Sequence, residues 1–436
     1  MRLNKGSIMT RSKYLHLISL LALLLVCCLR PLQAVSQELA RVGGTAIGQP
    51  PHLHFGSTLF SEDGKPLAGS HLLTFYIHDS DSSGDPLWSE TFPVDSDANG
   101  NYSVDLMTSA PAGIADVVDA HPLLYVSVNI PGSSSFSEPQ VITTIPQAIY
   151  QDCNLDGQGC SGPAGDTAIS QLDKIAAANF SVVLNYSVFW GTKEELLAYA
   201  AHANSLHLKI MWTFNDPDFA TYSDKPGKYL INDYGEIAAS CGCSTNKGFL
   251  QYLVNLVKDL PATFGYNIGD EPAPNTKSNV RNLYNIIRAL DSRHPQMVNA
   301  TWDNATDPSL SNLRKYLDPF GFADILGGDY YPVGTCASAS DTATAASDVR
   351  TIATDYGKAA EMALQAFNWG QYPSDGVCSG SQCTYPTTHQ LQTMLRDAVT
   401  DAQPKIIFWY DYWDTVNAGQ WNSFVRAVNP QRTCKR

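Results

Sequence analysis

The pattern of apolar positions changes character once along the chain. Between about residues 50 and 145, apolar and polar residues alternate in short runs, as in Leu72–Ile77 and in Tyr102, Val104 and Leu106. Turn residues separate the runs: Asp63-Gly64-Lys65-Pro66, Asp97-Ala98-Asn99-Gly100 and Pro131-Gly132. Strands this short, at this spacing, predict a small all-β sandwich over residues 48–145.

From residue 146 the period shifts. Apolar runs of strand length fall at 147–150, 181–186, 209–214, 265–269, 296–300, 323–327, 363–367 and 405–410. Between them, apolar residues recur at helical spacing over 169–178, 192–206, 247–260, 277–291, 309–317, 342–361, 388–401 and 419–428. Strands that alternate strictly with helices predict a parallel sheet. Eight such units over residues 146–430 predict a closed (β/α)8 TIM barrel, so the fold class is α/β. An open doubly wound sheet would show fewer units and a glycine-rich phosphate loop. Neither G-x-G-x-x-G nor a Walker sequence occurs, and no nucleotide cofactor is expected.

The N-terminus has a different pattern. Arg2, Lys5, Arg11 and Lys13 precede an apolar stretch from Leu15 to Leu29, and Ala34 closes a small-residue cleavage site. This predicts a secretory signal peptide over residues 1–34; the run is short for a membrane span, although an uncleaved anchor is the alternative. Removing those residues leaves 23 basic against 42 acidic side chains, a formal charge of −19. A surface that acidic repels phosphate backbones, so nucleic acid is not an expected partner. Eight cysteines remain after Cys27 and Cys28, an even number that predicts disulfides in an exported chain, at the cell surface, in the periplasm or outside. Cys153 and Cys160, seven apart in a Gly-rich loop, are the favoured pair. The cysteine spacing and the dispersed histidines do not match a metal site, so no metal is expected.

In a TIM barrel the chemistry sits at the C-terminal ends of the strands. Those positions read Asn185-Tyr186, Trp212-Thr213-Phe214-Asn215-Asp216, Asp270-Glu271-Pro272, Trp302-Asp303, Asp329-Tyr330-Tyr331, Gln365-Ala366-Phe367-Asn368-Trp369 and Trp409-Tyr410-Asp411-Tyr412-Trp413. Six of the eight tryptophans fall there or just beyond: Trp190, Trp212, Trp302, Trp369, Trp409 and Trp413. Any one of them has core packing as its plain reading; six together suit a neutral, polyhydroxylated ligand, because rings stack on sugar faces while carboxylates and amides bind hydroxyls. Expected sugar contacts are therefore Asn185, Trp212, Asp216, Trp302, Asp329, Tyr330, Gln365, Trp369, Trp409, Asp411 and Trp413.

Gly269-Asp270-Glu271-Pro272 at the end of strand four is the strongest motif. Glycoside cleavage needs a carboxylic acid whose pKa is raised by burial or a like charge, and Asp270 adjoins Glu271. At this motif the chain resembles the (β/α)8 glycoside hydrolases over roughly residues 146–430. The resemblance implies that Glu271 is the acid/base residue; Asp270 stands where that family commonly has Asn. The family's strand-seven nucleophile has no counterpart, since Gln365 occupies the expected place and Glu361 is expected at the far end of the barrel. Three readings follow. A second carboxylate comes from Asp329, Asp411 or Asp216; or Asp270 and Glu271 work with the substrate's own acetamido group, as in the similar hexosaminidases; or the barrel binds glycans without cleaving them. Residues 50–145 loosely resemble a β-domain of exported bacterial proteins, which implies attachment or spacing.

Overall fold

The computed structural model describes residues 54–59, 65–80, 85–106, 117, 120–131, 140–157, 160, 165–214, 234–302, 309–375, 377–378 and 383–428. The signal-peptide expectation, Asp216 and Cys434 lie outside the described residues.

Six strands precede the barrel. β2 (Gly69–His78), β3 (Trp88–Ser96), β5 (Leu123–Asn129) and β6 (Gln140–Thr143) form an antiparallel sheet in the order β3-β2-β5-β6. β1 (His54–Thr58) and β4 (Asn101–Asp105) pair as a separate two-stranded ribbon. Alternation gives the sheet one apolar face. Leu73, Phe75 and Ile77 of β2 share a core with Phe92, Val94, Val126 and Val128, and Phe55 and Tyr102 of the ribbon close over it.

The barrel is closed and all parallel, in the order β7 (Gln147–Gln151), β8 (Val182–Asn185), β9 (Lys209–Thr213), β10 (Thr263–Asp270), β11 (Gln296–Thr301), β12 (Ile325–Tyr330), β13 (Ala359–Gln365) and β14 (Ile406–Tyr410), which returns to β7. All eight expected strands are present. The helices follow the apolar period and its caps. α1 (Ala168–Ala177) and α2 (Lys193–Ser205) each begin with a capping box, the latter between Thr192 and Glu195. Such a cap satisfies two orphan N–H groups, and its loss costs about 1 kcal/mol. Next come α3 (Gly235–Ala239), α4 (Asn246–Val257), α5 (Lys277–Leu290), α6 (Leu310–Leu317), α7 (Thr342–Asp355), α8 (Thr388–Asp397), α9 (Tyr412–Asn417) and α10 (Trp421–Val428). On α5, Val280, Leu283 and Ile287 make one buried stripe, and burial of each is worth about 1.5–3 kcal/mol.

One boundary corrects the sequence reading. The helix expected over 342–361 ends at Asp355, because Gly357 takes the left-handed conformation (φ +64°) that closes helices. Strand seven therefore starts at Ala359. Glu361 lies inside it and faces the barrel interior, on the same strand face as Ala363, instead of preceding the strand.

Disulfides join Cys153 to Cys160 as expected, Cys241 to Cys243, and Cys378 to Cys383. Cys336 is free among the described residues.

The two sheets are separate, but Tyr125 and Val141 of the antiparallel sheet join the core around the barrel, and β6 touches α8 and α10. We propose residue 146 as the domain boundary. A fragment starting near residue 144 is expected to fold, with a lower melting temperature than the longer chain because those two side chains no longer cover the helices. Limited proteolysis that yields no stable fragment of that size contradicts this.

Candidate active site

Tyr150, Leu184, Met211, Met297, Ile325, Ile406 and Phe408 form one apolar cluster inside the barrel, and carboxyls gather at its mouth. Near the C-terminal mouth, β10 changes register between Asn267 and Gly269. Such an irregularity re-aims the side chains after it. Asp270 then enters the mouth, and the Glu271 backbone N–H donates to the Asn299 carbonyl of β11 (2.9 Å). Glu271 itself has φ +48° and precedes a proline. A non-glycine residue in that region is strained, and a following proline normally favours extended backbone. Strain of this kind is retained where the position of one side chain matters.

A cavity of about 270 Å³ opens there, lined by Tyr186, Asp270, Glu271, Thr301, Asp329, Tyr331, Phe367, Trp369, Tyr372 and Tyr410. Its floor is one hydrogen-bonded set. The Asn299 Nδ2 donates to Asp270 Oδ1 (2.8 Å) and to Asp329 Oδ1 (2.7 Å), so a single amide clasps two carboxyls. The Tyr186 hydroxyl donates to the other Asp270 oxygen (2.6 Å). On the far wall the Tyr372 hydroxyl donates to Asp414 Oδ2 (2.5 Å), and Gln371 Nε2 donates to Asp414 Oδ1 (2.8 Å).

The carboxyls differ in their ease of ionisation. Glu271 is open to solvent through the mouth as a residue, yet its carboxyl is hemmed in by the walls. Lost hydration first, and then the negative charge of Asp270, push its pKa up to about 7, against a hydrogen bond with Thr301 that lowers it. Burial, followed by the charges of Asp270, Glu271 and Glu361, pushes Asp329 well above the carboxylate range. Asp411 is raised too, by burial and then by Asp414. Asp270 accepts from the Tyr186 hydroxyl and from the Asn299 amide. The arrangement thus sets an acid able to hold its proton near neutrality beside a second, hydrogen-bonded carboxyl.

The expected site residues divide into three groups. Asp270, Glu271, Asp329 and Trp369 meet in the cavity. Trp302 and Tyr330 line an adjoining cavity of about 150 Å³, which shares Thr301, Asp329, Tyr331 and Trp369 with the first. The other described ones line neither cavity. Trp212 and Trp409 point outward into the helix layer, donating to Thr263 Oγ1 and Gln147 Oε1. Asn185 ties Cys153 and Ser187 to the end of β8. Gln365 accepts from the Val333 N–H (2.7 Å) and donates to the Val333 and Phe367 carbonyls (2.9 and 3.1 Å). Its amide clamps the loop after β12 and is fully buried. Asp411 caps α9 through the Asp414 N–H, and Trp413 does not line the cavity.

The aromatic walls are mostly tyrosines and a phenylalanine that sequence reasoning did not select: Tyr186, Tyr331, Phe367, Tyr372 and Tyr410. Strand phase carries the signal. On β14, Phe408 faces inward and Trp409 outward, so Tyr410 faces inward again. On β12, Ile325 and Asp329 fix the same phase and send Tyr330 to the helix side.

Among the described residues, no group of three or more His, Cys, Asp or Glu could hold a metal ion, and no helix is long and apolar enough to cross a membrane.

Residues 54–142 match a family model described as a domain of unknown function, DUF8740. Comparison with curated proteins finds no match. Similar solved structures include a glycosyl hydrolase family 2 member from Bacteroides cellulosilyticus (12% identity, 82% of this chain and 41% of that one, TM-score 0.35). The catalytic domain of a GH26 endo-β-1,4-mannanase from Bacillus sp. JAMB-750 has 12% identity over 64% of this chain and 85% of that one, with TM-score 0.43. The GH53 catalytic domain from Ignisphaera aggregans has 11% identity over 60% of this chain and 79% of that one, with TM-score 0.38. The chain spans less than half the length of the Bacteroides structure.

Proposed function

We propose that this chain is an exported glycoside hydrolase that cleaves an oligo- or polysaccharide, with Glu271 as general acid and Asp270 as its ionised partner. The observation that supports this reading most is the Asp270–Glu271 pair. Two adjacent carboxyls face one aromatic-walled cavity at the catalytic end of a barrel, and burial together with the charge of Asp270 raises Glu271 toward neutrality. A barrel that only bound glycans would need neither the raised acid nor the strained backbone that carries it. The three disulfides support export.

Asp270 fills the place left by the missing strand-seven nucleophile better than its rivals. Gln365 is an amide committed to Val333, and burial favours the neutral form of Asp329. A neutral acid neither attacks a sugar nor activates water efficiently. Asp270 also stands where it can orient an acetamido group, so substrate assistance is the mechanism this geometry favours. Hydrolysis is thus expected to be confined to 2-acetamido sugars in a panel of aryl glycosides. Equal turnover of sugars lacking that group contradicts substrate assistance and leaves a two-carboxylate mechanism.

The acid must carry its proton, and burial followed by the charge of Asp270 pushes its pKa up to about 7. As pH rises through that value the protonated fraction falls, so kcat/KM is expected to decline above about pH 7. A flat profile from pH 6 to 9 contradicts the assignment.

A further inference from the structure

Two buried polar groups beneath the site lack hydrogen-bond partners: the side-chain oxygen of Asn299, and both carboxyl oxygens of Glu361, which is 0% exposed. They sit in the same layer of the barrel. Asn299 of β11 pairs with Gly327 of β12, and Gly327 pairs with Glu361 of β13. Gly327 has no side chain between them. A Cβ there would lie 1.6 Å from Glu361 Oε2 and 3.1 Å from the Glu361 Cβ. The carboxyl therefore lies over Gly327, reaching from its own strand toward β11. Adjacent strands are about 4.8 Å apart, so the remaining gap to the Asn299 amide closes with one rotamer change or one bridging water.

Hydrogen-bond chemistry decides what can pass across that gap. The Asn299 nitrogen is committed to Asp270 and Asp329. Flipping the amide would aim its oxygen at both carboxyls. The oxygen must therefore stay on the other side, where it can only accept. A carboxylate can only accept as well and would repel it, whereas a protonated carboxyl donates. The titratable groups that act on Glu361 are Asp270 from β10, Asp329 from β12 and Tyr150 from β7, and none of them is a cation that would hold a carboxylate charge there.

We propose that Glu361 is a protonated donor to the Asn299 amide oxygen, and so a positioning residue that fixes the amide clasping Asp270 and Asp329. The order is Glu361, Asn299, Asp270, then Tyr186. Removing the first donor frees the Asn299 side chain, and Asp270 loses the hold of that amide, one of the contacts that keep it beside Glu271.

The test has two arms, and only the second rests on the hydrolase reading. In the first, infrared difference spectra of the full chain at pH 7 compare wild type with Glu361→Gln and Glu361→Met. Both variants are expected to lose a carboxylic-acid C=O band. Loss of a carboxylate band instead overturns the proposal. In the second, kcat and KM are measured on whichever aryl glycoside the wild type cleaves. Gln can donate through its amide, so Glu361→Gln is expected to keep kcat within about threefold, while Glu361→Met, of similar bulk but without a donor, loses about tenfold or more. Equal loss in both variants reduces Glu361 to a space-filler and overturns the proposal. If no glycoside is cleaved although the acid band is present, the hydrolase reading fails and the infrared result alone decides this one.

Discussion

Glu271→Gln is expected to reduce turnover by about 10²- to 10⁴-fold on glycosides with poor leaving groups. Gln keeps the size of the side chain and can still hydrogen-bond to Thr301, but it has no proton to give. A leaving group that departs unaided, such as dinitrophenolate, has little need of the acid, so the loss should shrink as the leaving group improves. Ground-state binding involves the walls more than the proton, so affinity for the same glycan should survive. The strained backbone at Glu271 adds a control. Glu271→Gly relieves the left-handed φ and is expected to be at least as stable as wild type, yet as inactive as the Gln variant. Full activity in Glu271→Gln removes the residue from the role of acid.

Asp270→Asn is the second large effect. It keeps the shape of the floor but removes the charge beside Glu271 and turns an acceptor pair into a mixed donor and acceptor. Loss of the orienting carboxylate is expected to lower kcat by about 10²-fold or more in either mechanism that uses Asp270. It also has a signature in pH. The Asp270 charge is the second cause of the raised Glu271 pKa, after burial. Without it the Glu271 pKa falls, the acid loses its proton at lower pH, and the alkaline limb of kcat/KM shifts downward. A variant with near-normal kcat returns the second-carboxylate role to Asp329.

The repeating architecture was legible because it rests on local signals. Apolar runs, caps such as Thr192, and helix-length spacers between strands specify eight βα units whatever fills the site. One turn misled. The Gly357 stop was present in the sequence, but the apolar and small residues around it read as continuing helix, and this misplaced Glu361. At the site, Asp270 and Glu271 were legible because their motif ends a strand. The tryptophans were not. In a barrel strand both faces are buried, so hydropathy does not separate the residue that lines the mouth from the one that packs under a helix. Trp212 and Trp409 are apolar enough for either face, and only the inward phase set by Met211 and Phe408 sends them outward. Gln365 was ambiguous for another reason. An amide at a strand end serves a sugar and a backbone loop equally well, and its partner, Val333, is distant in sequence.

Release of reducing ends separates a hydrolase from a barrel that only holds sugars. The direct measurement incubates the purified full chain with a panel of polysaccharides and aryl glycosides that includes 2-acetamido sugars, and follows both binding and reducing-sugar release across pH. The account predicts release from at least one acetamido-containing glycan, declining above about pH 7 with the Glu271 proton. Binding to several glycans with no reducing ends released at any pH contradicts it and leaves a barrel that only holds sugars.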